Sequence, residues 1–115
     1  MLAEHEMAAI AAFFDELETA RLHEQTVSIA GNGGSASIAS HMAVDFGVGG
    51  LAGKGAVGLR VLSLTDNASA LTAIANDRSY SDVFVGQLAT HYRRGDKLIV
   101  ISASGNSPNV VAAAR

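Results

Sequence analysis

The feature that most constrains this chain is an alternation. The short runs TVSIA (26–30), LRVLSL (59–64) and KLIVIS (97–102) are β-branched or strongly apolar and read as strands. Helix-like segments precede, separate and follow them. The order α, β, α, β, α, α, β, α predicts parallel strands joined by right-handed crossovers in a layered α/β domain.

The helical segments carry their own signals. Over residues 2–20, Ile10, Phe13, Phe14 and Leu17 recur at i, i+3, i+4 and i+7, while Glu4, Asp15, Glu16 and Glu18 lie mainly elsewhere. Residues 1–25 therefore form an amphipathic helix that serves packing or oligomerisation. SASIASHMAVDF (35–46) can start with Ser35 or Ser37 as N-cap and is apolar nearly all round, which predicts a buried helix or one at a subunit contact. Residues 47–58 hold six of the twelve glycines and read as a mobile connection, with Lys54 a solvated loop lysine. Asp66 or Asn67 can cap a helix through Ala75, and residues 80–93 place Val83, Phe84, Gln87, Leu88 and His91 on one stripe. Ser107 and Pro108 suit the N-cap and first position of a last helix, in which the sequence stops at Arg115. With three strands behind that point, the expectation is part of a larger domain, or one completed by another chain.

Composition narrows the function. A net charge of −3 argues against a nucleic-acid partner, because binding a phosphate backbone calls for a basic face. No Cys is present, so disulfides and thiolate metal sites are excluded and a reducing cytoplasm is compatible. The N-terminal apolar run is short and flanked by acids, which fits neither a signal peptide nor a membrane span.

The chemistry concentrates in two loops. In an open parallel sheet, loops leaving the carboxyl ends of strands share one edge, so GNGGS (31–35) and SASGNSP (102–108) should face a common crevice. Both combine glycine with serine hydroxyls ahead of a helix. Ser102, Ser104 and the amides of Gly105 and Asn106 are expected to point at an oxyanion. Neither loop contains Lys or Arg, which suits a single phosphate better than a triphosphate. A Walker loop fails: around Gly53-Lys54, Val48 stands where the first glycine belongs and Gly55 where the hydroxyl belongs. Gly31, Gly33 and Ala36 meet G-x-G-x-x-G/A, but Asp66 lies 35 residues after Gly31 instead of about 20, so a dinucleotide is the weaker alternative and no nucleotide is expected. A monophosphorylated sugar fits best.

AGNGGSASIASHM, IANDRSYSDVF and GDKLIVISASGNSPNVVAA, in this order and spacing, resemble the sugar isomerase (SIS) domain, and within it the phosphoheptose isomerases. The resemblance runs from about residue 26 to 114. It implies a three-layer α/β/α, flavodoxin-like fold of about five parallel strands, with residues 26–115 as its N-terminal part. A cytoplasmic homotetramer that isomerises sedoheptulose 7-phosphate is also implied.

Carried over by position, Asn32, Gly33, Gly34 and Ser35 would line the sugar pocket, and Asn76 and Asp77 would contact substrate. Ser102, Ala103, Ser104 and Ser107 would cradle the phosphate, Ala103 standing where the family commonly has Thr. His41 falls on a zinc ligand and Asp45 on a Glu that is both zinc ligand and catalytic base. The other zinc ligands of the family, a Gln and a His, come from a later helix that this sequence does not include, so zinc is a possible cofactor with two ligand positions present. His41 and Asp45, at i and i+4, share a stripe with Ile38 and Met42, and a simple His–Asp hydrogen bond explains them equally well. His5, His23 and His91 have no motif around them. A non-catalytic SIS module that binds a phosphosugar or a protein partner, as the DnaA initiator-associating protein of the family does, is the second reading.

Overall fold

The computed structural model describes residues 1–50, 55 and 57–115. Three strands, β1 (Thr26–Gly31), β2 (Arg60–Ser63) and β3 (Lys97–Ile101), form one parallel sheet in the order β2-β1-β3. Lying in the middle, β1 pairs Ser28 with Leu62 on one side and Leu98 on the other. Its side chains alternate between faces, as a pleated strand requires. Val27 and Ile29 are fully buried on one face with Ala20 and Ala39, and Ala30 is buried on the other with Val83, Phe84 and Val110.

These two clusters define the three expected layers. The first is covered by α1 (Glu4–Leu22) and α2 (Gly34–Ala43), the second by α3 (Ala68–Asp77), α4 (Val83–His91) and α5 (Pro108–Ala114). Burying a side chain such as Ile29 contributes about 1.5–3 kcal/mol, so the middle strand anchors both layers. Two polar side chains tie the sheet to its surroundings. The Asp96 carboxylate accepts the Thr26 N–H through Oδ1 and the Arg93 N–H through Oδ2, both at 2.8 Å. Gln87, buried in α4, donates both Nε2 hydrogens, to the carbonyls of Leu64 and Val83 at 2.8 Å.

Several expectations change in detail. On α1 the face turned inward is Phe13, Leu17 and Ala20, while Ile10 and Phe14 are exposed. Lys97 of β3 reaches Glu16 of α1 at 2.6 Å. Neither Ser35 nor Ser37 caps α2: Gly33 is the N-cap, and the two serine amides donate to the carbonyls of Asn32 (2.9 Å) and Gly33 (3.2 Å) inside the first turn. A glycine leads because the turn demands φ +54° there, which a side chain resists. Nor is α2 a buried helix, since only Ala39 is buried and Ile38 is about half exposed. Its end widens into a π-helical turn, Val44–Val48, which holds Asp45. Asn67, not Asp66, caps α3, its side chain accepting the Ala70 N–H at 3.0 Å. The segment 80–93 begins with a 3-10 turn, Tyr80–Asp82, and its helix closes at His91, which is exposed. Of the expected mobile connection, residues 51–54 and 56, Lys54 among them, lie outside the described residues.

Candidate functional site

The chain leaves β1 toward β2 on one side, and β3 lies on the other, so the strand order reverses between β1 and β3. At such a switch point the two loops splay apart and leave a crevice at the carboxyl edge. Gly31 and Ile101, the last residues of the two strands, are partners there. The order also separates two fold families. A dinucleotide fold places its third strand outside the second, whereas here β3 sits beside β1, the flavodoxin-like arrangement. Asp66, the nearest candidate acid for a ribose, is engaged by the Ser40 hydroxyl.

The first loop is built by close approach. A Cβ on Gly31 would come within 2.9 Å of the Ser35 backbone, so only glycine lets α2 start directly against the strand end. The second loop folds on itself. Gly105 N–H donates to Ser102 Oγ at 3.0 Å and Asn106 N–H to Ser104 Oγ at 3.2 Å. This corrects the expectation that these amides face a ligand. Short serine side chains compete for nearby amides, and here they win. Each hydroxyl that accepts an amide keeps its own proton to donate and is polarised for it. Ser107 is the N-cap of α5, with Pro108 following, but its hydroxyl makes no capping bond, so it too is uncommitted.

Asn32, Ser35, Ile101, Ser102, Ala103, Ser104 and Ser107 line a small pocket of about 230 Å³ between the loops. Neither Lys nor Arg is among them. The structure thus brings together the serines of both motifs with Asn32. Gly33 and Gly34 shape the first loop without lining the pocket. Asn76 and Asp77 are exposed at the end of α3, where Asn76 Nδ2 donates to Asp77 Oδ1 at 3.0 Å, and they do not line it either. A larger hollow, about 720 Å³, runs over the uncovered face of β2 from Thr26 and Arg93 to Asp66. It contains neither glycine loop, and the exposed Leu62 and Arg60 mark it as an open sheet face, so its size does not make it the site.

Two residues of the site were not singled out from the sequence. Asn109, 2% exposed, forms a reciprocal amide pair with Asn32: Asn32 Nδ2 to Asn109 Oδ1 at 2.9 Å and Asn109 Nδ2 to Asn32 Oδ1 at 2.8 Å. Tyr80 donates its hydroxyl to the same Asn32 Oδ1 at 2.9 Å. Both lie inside the quoted motifs, and their position in the motifs was the only signal for them.

His41 and Asp45 occupy the other end of α2. Ser35 and Asp45 are ten residues apart, which corresponds to about 15 Å of helix rise. His41 Nε2 and Asp45 Oδ2 are 3.2 Å apart, with side chains 79% and 59% exposed. Among the described residues no group of three or more His, Asp or Glu could hold a metal ion. Two exposed donors already bonded to each other do not fit a zinc site by themselves, since four-coordinate zinc takes at least three protein ligands.

Comparison with known proteins decides the family. The SIS domain model matches residues 1–115. The chain belongs to the SIS domain family. It is 51% identical over 87 residues to the phosphoheptose isomerase of Desulfovibrio desulfuricans, covering 76% of this chain and 40% of that protein. With the phosphoheptose isomerase of Helicobacter pylori strain Shi470 it shares 48% identity over 90 residues, or 76% of this chain and 44% of the relative. Among solved structures, phosphoheptose isomerase GmhA from Neisseria gonorrhoeae aligns with a TM-score of 0.75 at 37% identity, over 87% of this chain and 50% of that one. A phosphoheptose isomerase from Francisella tularensis aligns with a TM-score of 0.86 at 28% identity, over 93% and 55%. This SIS chain thus spans about half the length of the relatives it matches. None of its described helices is long and apolar enough to cross a membrane.

Proposed function

We propose that this SIS chain binds the phosphate end of a sugar phosphate and belongs to an aldose–ketose isomerase acting on sedoheptulose 7-phosphate or a similar sugar. The observation that carries this reading is the pocket at the switch point. It presents the hydroxyls of Ser102, Ser104 and Ser107 on one side and Asn32 and Ser35 on the other. Hydroxyl donors converging without a cation suit one phosphate, and hydrogen bonds to such a charged group contribute about 1.5–3 kcal/mol each. Its relatives are named as phosphoheptose isomerases, which supports the same substrate class.

Isomerisation needs a base that takes a proton from the carbon beside the carbonyl and returns it to the neighbour. Asp45 is the residue of this chain proposed for that role, with His41 its hydrogen-bonded partner. Zinc enters the reading only with donors beyond these two. A homo-oligomer in the cytoplasm completes the proposal. Exposed Met7, Ile10 and Phe14 on α1, and Ile38 and Val44 at α2, are apolar flanks that a second copy would cover.

The test is to incubate the full-length protein with sedoheptulose 7-phosphate, with and without zinc, and to follow formation of an aldose phosphate. Absence of turnover in both would remove the enzyme assignment. The exposed, two-donor His41–Asp45 pair favours one other reading, a module that binds a phosphosugar or a protein without converting anything. It predicts a rise in melting temperature with the sugar phosphate and no product.

A further inference from the structure

The amide network behind the pocket fixes more than a loop position. Asparagine oxygen and nitrogen are interchangeable by a flip, so their assignment needs an anchor whose polarity is known. Here the anchor is the Val110 backbone N–H, which can only donate, and it bonds Asn109 Oδ1 at 2.9 Å. Asn109 is therefore held with Oδ1 toward its own backbone and Nδ2 free to donate onward. That donation lands on Asn32 Oδ1, and the Tyr80 hydroxyl lands on the same atom. Both lone pairs of Asn32 Oδ1 are then occupied. One Nδ2 hydrogen goes back to Asn109 Oδ1. What remains, on a residue that lines the pocket, is a single N–H donor.

We infer that Asn109 and Tyr80 are positioning residues that lock Asn32 as a donor-only group. The sugar side of the site then recognises an oxygen acceptor, a hydroxyl or carbonyl oxygen of the phosphosugar, and disfavours an amino group at that position. This rests on the phosphosugar reading for the identity of the ligand, while the lock itself belongs to the protein alone. Flipping Asn32 would set its Nδ2 against Asn109 Nδ2 and its Oδ1 against Asn109 Oδ1 and lose both bonds of the pair, so Asn109 fixes the orientation of the amide, while the Tyr80 hydroxyl fills the second lone pair of Oδ1. The same pair links the first loop to the start of α5. Asn109 lies two residues after Ser107, so the orientation of the sugar-side amide is set by the segment that carries the phosphate-side hydroxyls.

The test uses Tyr80→Phe. Tyr80 is 58% exposed, so this change removes one hydroxyl without opening the core. Two readouts are taken on the same protein. In the ligand-free state, the side-chain amide NMR signal of Asn32 should move in the variant while that of Asn76 stays in place. In titrations, sedoheptulose 7-phosphate should bind about 3- to 10-fold more weakly, as the amide loses one of the hydrogen bonds that hold it in place. Inorganic phosphate, which meets only the serine side, should change by less than about twofold, well below that figure. Equal weakening of both ligands, weakening of neither, or an unmoved Asn32 signal overturns the inference. If the unaltered protein binds neither ligand, the phosphosugar reading fails, and the amide signal alone decides whether the lock exists.

Discussion

The two ends of α2 differ in how much of their surroundings is settled. At the amino end, Gly31 and Gly33 let the helix start against β1, and Asn32 is held by Asn109 and Tyr80 beside three serine hydroxyls, two of which accept loop amides and keep their protons to donate. At the other end, His41 and Asp45 pair with each other at 3.2 Å and their side chains are more than half exposed. Under the proposed function, the contrast separates holding a substrate from acting on it. The proposed binding groups come from loops that the sheet itself positions, whereas the proposed acid–base pair stands on a helix surface where, among the described residues, no third His, Asp or Glu joins it to hold a metal ion.

The largest expected effect would break that comparison outright. On the full-length protein, Asp45→Ala should lower turnover of sedoheptulose 7-phosphate by about 10²- to 10⁴-fold, the usual weight of a general base, while its affinity stays within about threefold. A parallel loss of affinity would show that the two ends are not separable. Gly31→Val tests the amino end by packing. With the Ser35 backbone 2.9 Å from the added Cβ, it should cost about 1–3 kcal/mol in urea unfolding. Ser104→Ala should weaken inorganic phosphate about 10-fold, measured by titration, and leave stability within about 0.5 kcal/mol because the residue is exposed. Ala103→Thr adds a hydroxyl where the family commonly has one, and should tighten phosphate about two- to fivefold. Smallest is His41→Ala: an exposed pair contributes little, so the melting transition should move by less than the equivalent of about 0.5 kcal/mol.

Much of the fold was legible because its signals are local. The three strand runs and the helix periods gave the element order, and parallel crossovers then force GNGGS and SASGNSP to one edge. Ser107 and Pro108 fell where capping chemistry puts them. What failed was chemistry decided by competition between neighbours. Ser35 and Ser37 are good caps in isolation, yet the turn's positive φ gave the position to Gly33. The amides of Gly105 and Asn106 looked free until the adjacent serines claimed them. The role of Asn109 was not legible beyond its place in a motif, because a reciprocal amide pair between residues 77 apart exists only once the sheet has brought two loops together.

The Asp96 carboxylate joins the start of β1 to the turn before β3, at the opposite edge of the sheet from the pocket. The strands are therefore stapled at one end and held at the other by loop side chains that a ligand would engage. Opening motions should be unevenly distributed as a result, with amides near Thr26 and Lys97 slow to exchange with solvent and those near Gly31 and Ile101 faster. A phosphate bound across the two loops would act as a second staple, and the protein would register its ligand as a change in the rhythm of the sheet's breathing at one edge.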